Sequence, residues 1–398
     1  MRVAFFSDNF YPEISGISDQ LIILARNLAE RGHQIDIYAP RYSGKDYKKA
    51  GGIEKELDLG EHIAIHRLFS LHVPFSPTGQ SRIVLPIFLR WIFMRKRRPD
   101  VIHTHSFFGV GIEAIAAAKI LRIPIVGTNH TRITFFVPRI WPIETYIDIA
   151  SRRSVSMYYN RCDFVSAPAL FLLTEMKNSG LRAPCEVVSN PIDTSLFKPS
   201  KNRSDLRMKL GFDQKTLLYA GRLASEKNID TLIRAVALLS RQHHDVVLML
   251  AGSGPQIKEL TRLSEKLGVA DRVRFLGNLD KPVLAEYYQV SDIFVTASTS
   301  EVQSLSLMQA IACGLPSVSV HVDEPPSYLH NEENAFLLDS NDYELLSEKI
   351  SLLVTNDVIY QKMSIKCLET ADRFSPENIA IQWERTYRSL IEQHDARS

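Results

Sequence analysis

Two doubly wound α/β domains in tandem are what the sequence predicts. Three observations point there. Short apolar strands alternate with segments of helical spacing. The alternation breaks once, in a polar, lysine-rich stretch near the middle. The chain also has 398 residues, which suits two domains at about 100–200 residues each. Its composition, 45% hydrophobic and 23% charged, is that of a globular protein with a large core and no sign of disorder.

The elements follow in order. Residues 2–7 form a short apolar strand, and the loop "DNFYPEISGIS" follows it. "DQLIILARNLAERGH" has helical spacing and a glycine stop, and "QIDIYAP" is a second strand. This is the β-loop-α-β unit of a parallel sheet with right-handed crossovers. Strands "DVIHTH" (100–105), "PIVGTNH" (124–130), "DFVSAP" (163–168) and "CEVVSNPID" (185–193) continue the series, with a helix over "GIEAIAAAKILRI". Residues 1–195 are thus expected as the first domain and 196–214 as a linker. The second domain, 215–375, contains the strands "TLLYAGR", "DVVLMLAGSGP", "RVRFLG", "DIFVTAS" and "PSVSV". Residues 376–398 carry one amphipathic helix, "FSPENIAIQWERTYRSLIEQ" with its flanks. Open parallel sheets bind ligands outside the carboxyl ends of their strands. A ligand is therefore expected in a central cleft between two facing domains.

Net charge is only +2, but it is unevenly spread. Residues 1–200 hold 25 Lys+Arg against 18 Asp+Glu, a net of +7, and the remainder nets −5. A basic first half suits an anionic partner, although scattered surface charge gives the same total. The four cysteines are far apart and form no C-x-x-C, so reduced cytosolic thiols are expected, not a disulfide frame or zinc site. The start reads as a core strand rather than a signal peptide. No apolar run reaches the roughly 20 residues that span a bilayer.

Five features could carry chemistry. Gly16, in "YPEISGIS", lets backbone N–H groups approach an anion at a helix start, or marks an ordinary tight turn. It is no G-x-G-x-x-G, which disfavours a nicotinamide cofactor. Arg222 and Lys227, in "AGRLASEKN", follow a core strand and suit a diphosphate, or are solvated loop charges. In "TSEVQSLSLMQAIACG", the N–H groups of Ser304 and Leu305 can cradle a phosphate at a helix start. Glu301 lies just before, placed to accept hydrogen bonds from vicinal hydroxyls. Gln309, two helical turns on, shares roughly its face, or caps a neighbouring loop. His130 ends a strand and is either a site residue or a satisfied core-edge histidine. His103 and His105 are expected on opposite strand faces, and with no third ligand at metal spacing no metal site is expected.

The fifth feature is "RIVLPIFLRWIFMRKRRPD" (82–100), with ten apolar residues and six basic ones before its first acid. Arg90, Trp91, Arg95, Lys96, Arg97 and Arg98 are its candidate membrane and acceptor contacts. A basic amphipathic segment with an interfacial tryptophan suits an anionic membrane surface. An ordinary helix with a cationic last turn would read the same way.

Taken together, the motifs "DVIHTHSFFGVG", "VGTNHT", "NRCDFVSAPA", "VVSNPIDTSLFKP", "GRLASEKN", "LAGSGP", "FLGNL" and "SEVQSLSLMQAIACGLPSV" resemble the family-four retaining glycosyltransferases of the GT-B fold, the glycosyl transferases group 1. The likeness runs along most of the chain. Within the family it looks most like the bacterial diacylglycerol glucosyltransferases. The resemblance implies two Rossmann-like domains, a nucleotide sugar held mainly by the second, and a last helix that crosses back to the first. It implies that Arg222, Lys227 and the N–H groups of Ser304 and Leu305 neutralise the leaving diphosphate. Glu301 would hold the donor sugar, Gln309 the ribose, and His130 would lie near sugar and acceptor. Preorganised cations and N–H groups can stabilise a leaving group without an obligatory metal or other cofactor.

Ser15 and Ser304 stand where the family commonly has glycine, and Gln309 where it has a second glutamate. An amide holds a ribose hydroxyl more weakly than a carboxylate, by about 1–2 kcal/mol. The expected activity is hexose transfer, glucose from UDP-glucose, to a lipid such as diacylglycerol, by a cytoplasmic protein peripheral on the inner face of the plasma membrane. Two alternatives stand beside it: a saccharide acceptor in envelope polysaccharide or glycan assembly, and a degenerate sugar-nucleotide-binding protein without catalysis. Nucleic acid is not an expected partner, and the oligomeric state is open.

Overall fold

A computed structural model describes residues 1–13, 15–49, 56–73, 80–133, 144–242, 245–299, 301–320 and 326–396. Two compact units emerge, Met1–Pro191 with Pro376–Ser398, and Ile192–Ser375.

The first unit runs β1 (Arg2–Phe6), α1 (Gly16–Glu30), β2 (Gln34–Pro40), α2 (Gly44–Lys49), β3 (Ile63–Leu68), β4 (Ser70–His72), β5 (Arg82–Val84), α3 (Arg90–Met94), β6 (Val101–Thr104), α4 (Gly109–Leu121), β7 (Ile125–Thr128), α5 (Glu144–Tyr159), β8 (Phe164–Ala167), α6 (Leu170–Asn178) and β9 (Cys185–Val187). Seven parallel strands make one sheet in the order β3-β2-β1-β6-β7-β8-β9. Helices cover both faces of such a sheet, so its central strands are apolar throughout: Val3, Phe5 and Phe6 of β1 are fully buried. Ser15 sits where glycine was expected because it caps α1, its hydroxyl accepting the Ser18 N–H at 3.2 Å. β4 and β5 pair antiparallel in a separate hairpin.

The second unit runs α7 (Arg203–Leu210), β10 (Lys215–Ala220), α8 (Ile229–Arg241), β11 (Val246–Ala251), α9 (Ile257–Lys266), β12 (Val273–Gly277), α10 (Lys281–Val290), β13 (Ile293–Thr296), α11 (Leu305–Ala312), β14 (Ser317–Val320), β15 (Ala335–Leu338), α12 (Tyr343–Thr355) and α13 (Asp357–Asp372). Its six parallel strands run β12-β11-β10-β13-β14-β15. The apolar stripe of α8, with Ile229, Ile233 and Val236 fully buried, packs on this sheet. Each such side chain contributes about 1.5–3 kcal/mol.

The expected linker, 196–214, is corrected. It belongs to the second unit and is folded. Phe197 and Phe212 are buried in that unit's core, and α7 lies between them. Arg203 and Arg207 of α7 bond Asp292 at 2.7 and 3.2 Å, and the Thr216 N–H donates to the same carboxylate at 2.8 Å. Burial alone would raise the Asp292 pKa; the two guanidiniums and the N–H outweigh it and hold the carboxyl below its usual range. The polar composition that suggested a linker is one half of this ion cluster.

The last helix, α14 (Pro376–Asp395), belongs to the first unit. Ile379, Trp383 and Tyr387 join the core formed by α1 and β1. Glu384 accepts from Arg31 at 2.8 Å and lies 2.5 Å from His33 Nε2, and the Arg31 bond leads in pulling its pKa down to about 2.

Asp292→Ala should lower stability to urea at neutral pH by about 3 kcal/mol, because two guanidiniums lose their partner. A group with a depressed pKa stabilises above its unfolded value and loses that contribution as pH falls through the folded one. The difference should therefore fade only below about pH 4. Equal urea midpoints for mutant and wild type at pH 7 would contradict the assignment.

Candidate functional site

In the second unit, candidate residues gather where parallel strands end. β10 runs into residues 221–228, and the loop after β11 crosses close beside it. A Cβ on Gly252 would lie 2.0 Å from the Gly221 carbonyl oxygen, and one on Gly254 2.1 Å from that of Leu223. Only glycine permits this approach. The Leu223 N–H donates to the Ser253 carbonyl at 2.9 Å, and Asn228 Nδ2 to the Ala297 carbonyl at 3.0 Å. The loops after β10, β11 and β13 are thereby tied together.

Lys227 Nζ lies 2.6 Å from Glu301 Oε1, and Ser298 Oγ is 3.2 Å from both. A fixed cation and a fixed carboxylate thus stand side by side. Arg222 is exposed and pairs with Glu226, four residues on, so its guanidinium reaches toward solvent. Gln309 is half-buried and its amide has no hydrogen-bond partner among the described residues, so it does not cap a neighbouring loop.

The helix-start expectation is partly corrected. Ser304 does precede α11, its hydroxyl accepting the Leu307 N–H at 3.4 Å. Its own N–H, however, donates to the Tyr328 hydroxyl at 3.1 Å. Of the two expected phosphate donors, Leu305 remains, the first residue of α11, whose N–H has no partner within the helix. Tyr328 lies 24 residues away, in no motif.

In the first unit, Gly16 opens α1, and His130 follows β7. His130 Nδ1 faces Gln20 Nε2 at 3.1 Å, and its Nε2 faces His105 Nδ1 at 3.1 Å. With the Gln20 amide donating, His130 carries its proton on Nε2 and donates it to His105. Burial holds the His130 pKa down to about 3, so the ring is neutral across physiological pH. Both its nitrogens are used within this unit, which leaves no ring nitrogen free to act as a base.

His103 and His105 do not point to opposite faces: their ring centroids are 4.0 Å apart. β6 ends at Thr104, so strand alternation stops before His105. His103 is spoken for by Tyr387 and Thr128, at 2.7 and 2.6 Å. Among the described residues no group of three His, Cys, Asp or Glu could hold a metal ion.

At this end the sequence reading missed Asp8 and the surroundings of His105. His105 Nε2 is buried without a hydrogen-bond partner among the described residues and lines a cavity of about 20 Å³ with Gln20, His130 and Trp383. That is room for one water. Asp8, just past β1, caps α4 by accepting the Val110 N–H at 3.1 Å, while its Oδ2 is buried and unbonded among the described residues. Burial raises its pKa to about 6. An acid inside "FFSDNF", at the end of an apolar strand, is the signal that could have found it.

Segment 82–98 is not the long amphipathic helix expected. It comprises β5, the five-residue α3 and one 3-10 turn over Arg95–Arg97. Arg95, Lys96, Arg97 and Arg98 are exposed, with Arg95 5.6 Å from the Trp91 ring centre. Arg90 is mostly buried, 3.5 Å from Glu113. Arg98 donates to the Leu121 carbonyl at 3.0 Å, at the end of α4. No helix among the described residues is long and apolar enough to cross a membrane.

Comparison with known proteins gives a consistent picture. The family model described as glycosyl transferases group 1 matches residues 202–371, and that of glycosyltransferase family 4 matches 14–196. The alpha-monoglucosyldiacylglycerol synthase of Streptococcus pneumoniae is 28% identical over 326 residues, 80% of this chain and 71% of the relative. A GDP-mannose-dependent alpha-mannosyltransferase of Corynebacterium glutamicum is 25% identical over 397 residues, 98% of this chain and 89% of its own. The crystal structure of Anabaena HepE in complex with UDP shares the fold, with a TM-score of 0.76 at 20% identity over 98% of this chain and all of the other.

Asp8→Asn keeps an acceptor for Val110 and removes a buried charge. A buried acid whose folded pKa is raised costs stability once pH exceeds its unfolded value. The variant should therefore be more stable than wild type at pH 8, by up to about 3 kcal/mol for a shift from 3.8 to about 6. The gap should close as pH falls through about 6 toward 4, which urea unfolding at pH 5 and 8 measures. A gap that widens toward low pH would refute the assignment.

Proposed function

The chain belongs to the family-four glycosyltransferases, the glycosyl transferases group 1, with the GT-B fold of two Rossmann-like domains, and from that premise we propose its reaction. It transfers glucose from UDP-glucose to a lipid hydroxyl such as that of diacylglycerol, with retention at the anomeric carbon and without an obligatory metal. The observation that carries the donor half is the Lys227–Glu301 pair at the strand ends of the second unit. In this reading the diphosphate takes Lys227, with Arg222 and the Leu305 N–H alongside. Glu301 turns to the sugar hydroxyls, and Gln309 offers its unpaired amide to the ribose. Fixed charges of this kind stabilise a departing diphosphate because they need no reorganisation as its charge develops. Gly16 and His130 belong to the acceptor side, His130 as a neutral wall residue.

The lipid acceptor rests on the first unit. Large apolar side chains there stand exposed beside four exposed cations at 95–98, the complement of an anionic bilayer. The similarity to a glucosyldiacylglycerol synthase supports the same choice. Four free thiols suit a reducing compartment, so the inner face of the membrane is proposed.

Purified protein should transfer labelled glucose from UDP-glucose to diacylglycerol in anionic vesicles, in the presence of EDTA, giving an α-glucoside by NMR. Lys227→Ala should lower kcat/KM about 10²-fold or more. Transfer from GDP-mannose but not UDP-glucose would overturn the donor. Transfer only to free saccharides would overturn the acceptor. UDP binding with no transfer to any acceptor would leave a binding protein.

A further inference from the structure

The exposed apolar surface is built from more than the segment the sequence singled out. Leu71 of β4 and Ile83 of β5 are cross-strand partners, both exposed, while the neighbouring pair Ser70 and Val84 is buried. Phe69 and Leu85, which flank the two strands, are exposed as well, Phe69 at 68%. Ile87, Phe88, Leu89, Ile92 and Phe93 continue the exposure, Phe93 reaching 77%. Contiguous apolar exposure on this scale marks an interaction surface.

Beneath it lies Glu113 of α4, 1% exposed. Its Oε1 accepts the backbone N–H groups of Ile87 and of Phe88, the latter at 3.0 Å, and Arg90 Nε lies 3.5 Å away. Phe88 is held at φ 56, a left-handed conformation that is unfavourable for an aromatic residue. A buried carboxylate thus fixes a strained backbone whose side chains face outward. At the start of α4, a Cβ on Gly109 would lie 1.8 Å from the Val84 carbonyl oxygen, so the hairpin is pressed against the same helix. Hairpin and loop share one anchor.

We propose that the exposed face of strands β4 and β5 and the loop 85–93 together form the element that enters an anionic lipid surface, and that Glu113 is the positioning residue that holds this loop ready to insert. The proposal rests on the membrane reading above. Arg95, Lys96 and Arg97, exposed at the loop's end, supply the charge that chooses anionic headgroups. A preformed loop loses less entropy on binding than one ordered at the surface.

Flotation of the full-length protein with equimolar phosphatidylglycerol–phosphatidylcholine vesicles tests this. Replacing both Leu71 and Ile83 by serine should raise the lipid concentration for half-binding at least tenfold. Glu113→Ala should do the same, whereas Glu113→Gln, whose amide oxygen still accepts, should stay within threefold. In the unliganded wild type, the Ile87 and Phe88 amides should exchange with deuterium at least tenfold more slowly than neighbouring loop amides, and Glu113→Ala should erase that protection. A far-UV circular dichroism spectrum and a thermal midpoint like those of wild type separate mispositioning from unfolding. A hairpin variant that floats like wild type overturns the hairpin's part. Unprotected Ile87 and Phe88 amides in wild type, or a Glu113→Ala protein that floats normally, overturns the role of Glu113. A wild type that never floats overturns the membrane reading instead, and the exchange result still decides Glu113.

Discussion

The ion pair between Lys227 and Glu301 is the constraint on which the candidate site depends. Two opposite charges, each tethered to a loop at the end of a parallel strand, stand 2.6 Å apart with a serine hydroxyl between their loops. The loop of Lys227 is pressed against the loop after β11 at Gly221, Gly252 and Gly254, and Asn228 ties it to the loop of Glu301 through the Ala297 carbonyl. Without a ligand, the carboxylate neutralises the cation. In the proposed function a nucleotide sugar would offer each a better partner, a diphosphate for Lys227 and hydroxyls for Glu301. On that proposal the pair would be a placeholder that keeps both side chains in position at little electrostatic cost.

The first unit meets a related demand with buried polar groups around α4. Asp8 caps its first turn, Glu113 reaches from its second to the loop at 87–88, and Gly109 lets β5 lie against its start. One helix thus links the end of β1 with the exposed apolar surface. The cost is an acid whose pKa is raised to about 6 and whose second oxygen has no bond among the described residues. Strained or unsatisfied groups of this kind concentrate where a protein does its work.

The architecture was legible in the sequence because parallel strands covered on both faces are continuously apolar, as "VAFF" and "VVLMLA" are. Lys227 and Glu301 could each be singled out because each follows such a strand, but nothing in the sequence brought the two together. What was not legible depends on partners far along the chain. Residues 196–214 looked like a linker because the acid that fixes Arg203 and Arg207 lies 85–89 residues later. The Ser304 N–H looked available because Tyr328 stands in no motif. His105 was misplaced for a local reason, a strand that ends one residue early. The apolar hairpin was missed because β4 and β5 are three residues each, too short for a period to show.

The measurement that bears most directly on the donor site is calorimetric titration of wild type and Glu301→Ala with UDP and with UDP-glucose. If Lys227 waits for the diphosphate and Glu301 for the sugar, removing Glu301 frees Lys227. The variant should then bind UDP at least as tightly as wild type, while its Kd for UDP-glucose rises tenfold or more. Equal weakening toward both ligands, or no change toward either, would contradict that division of labour.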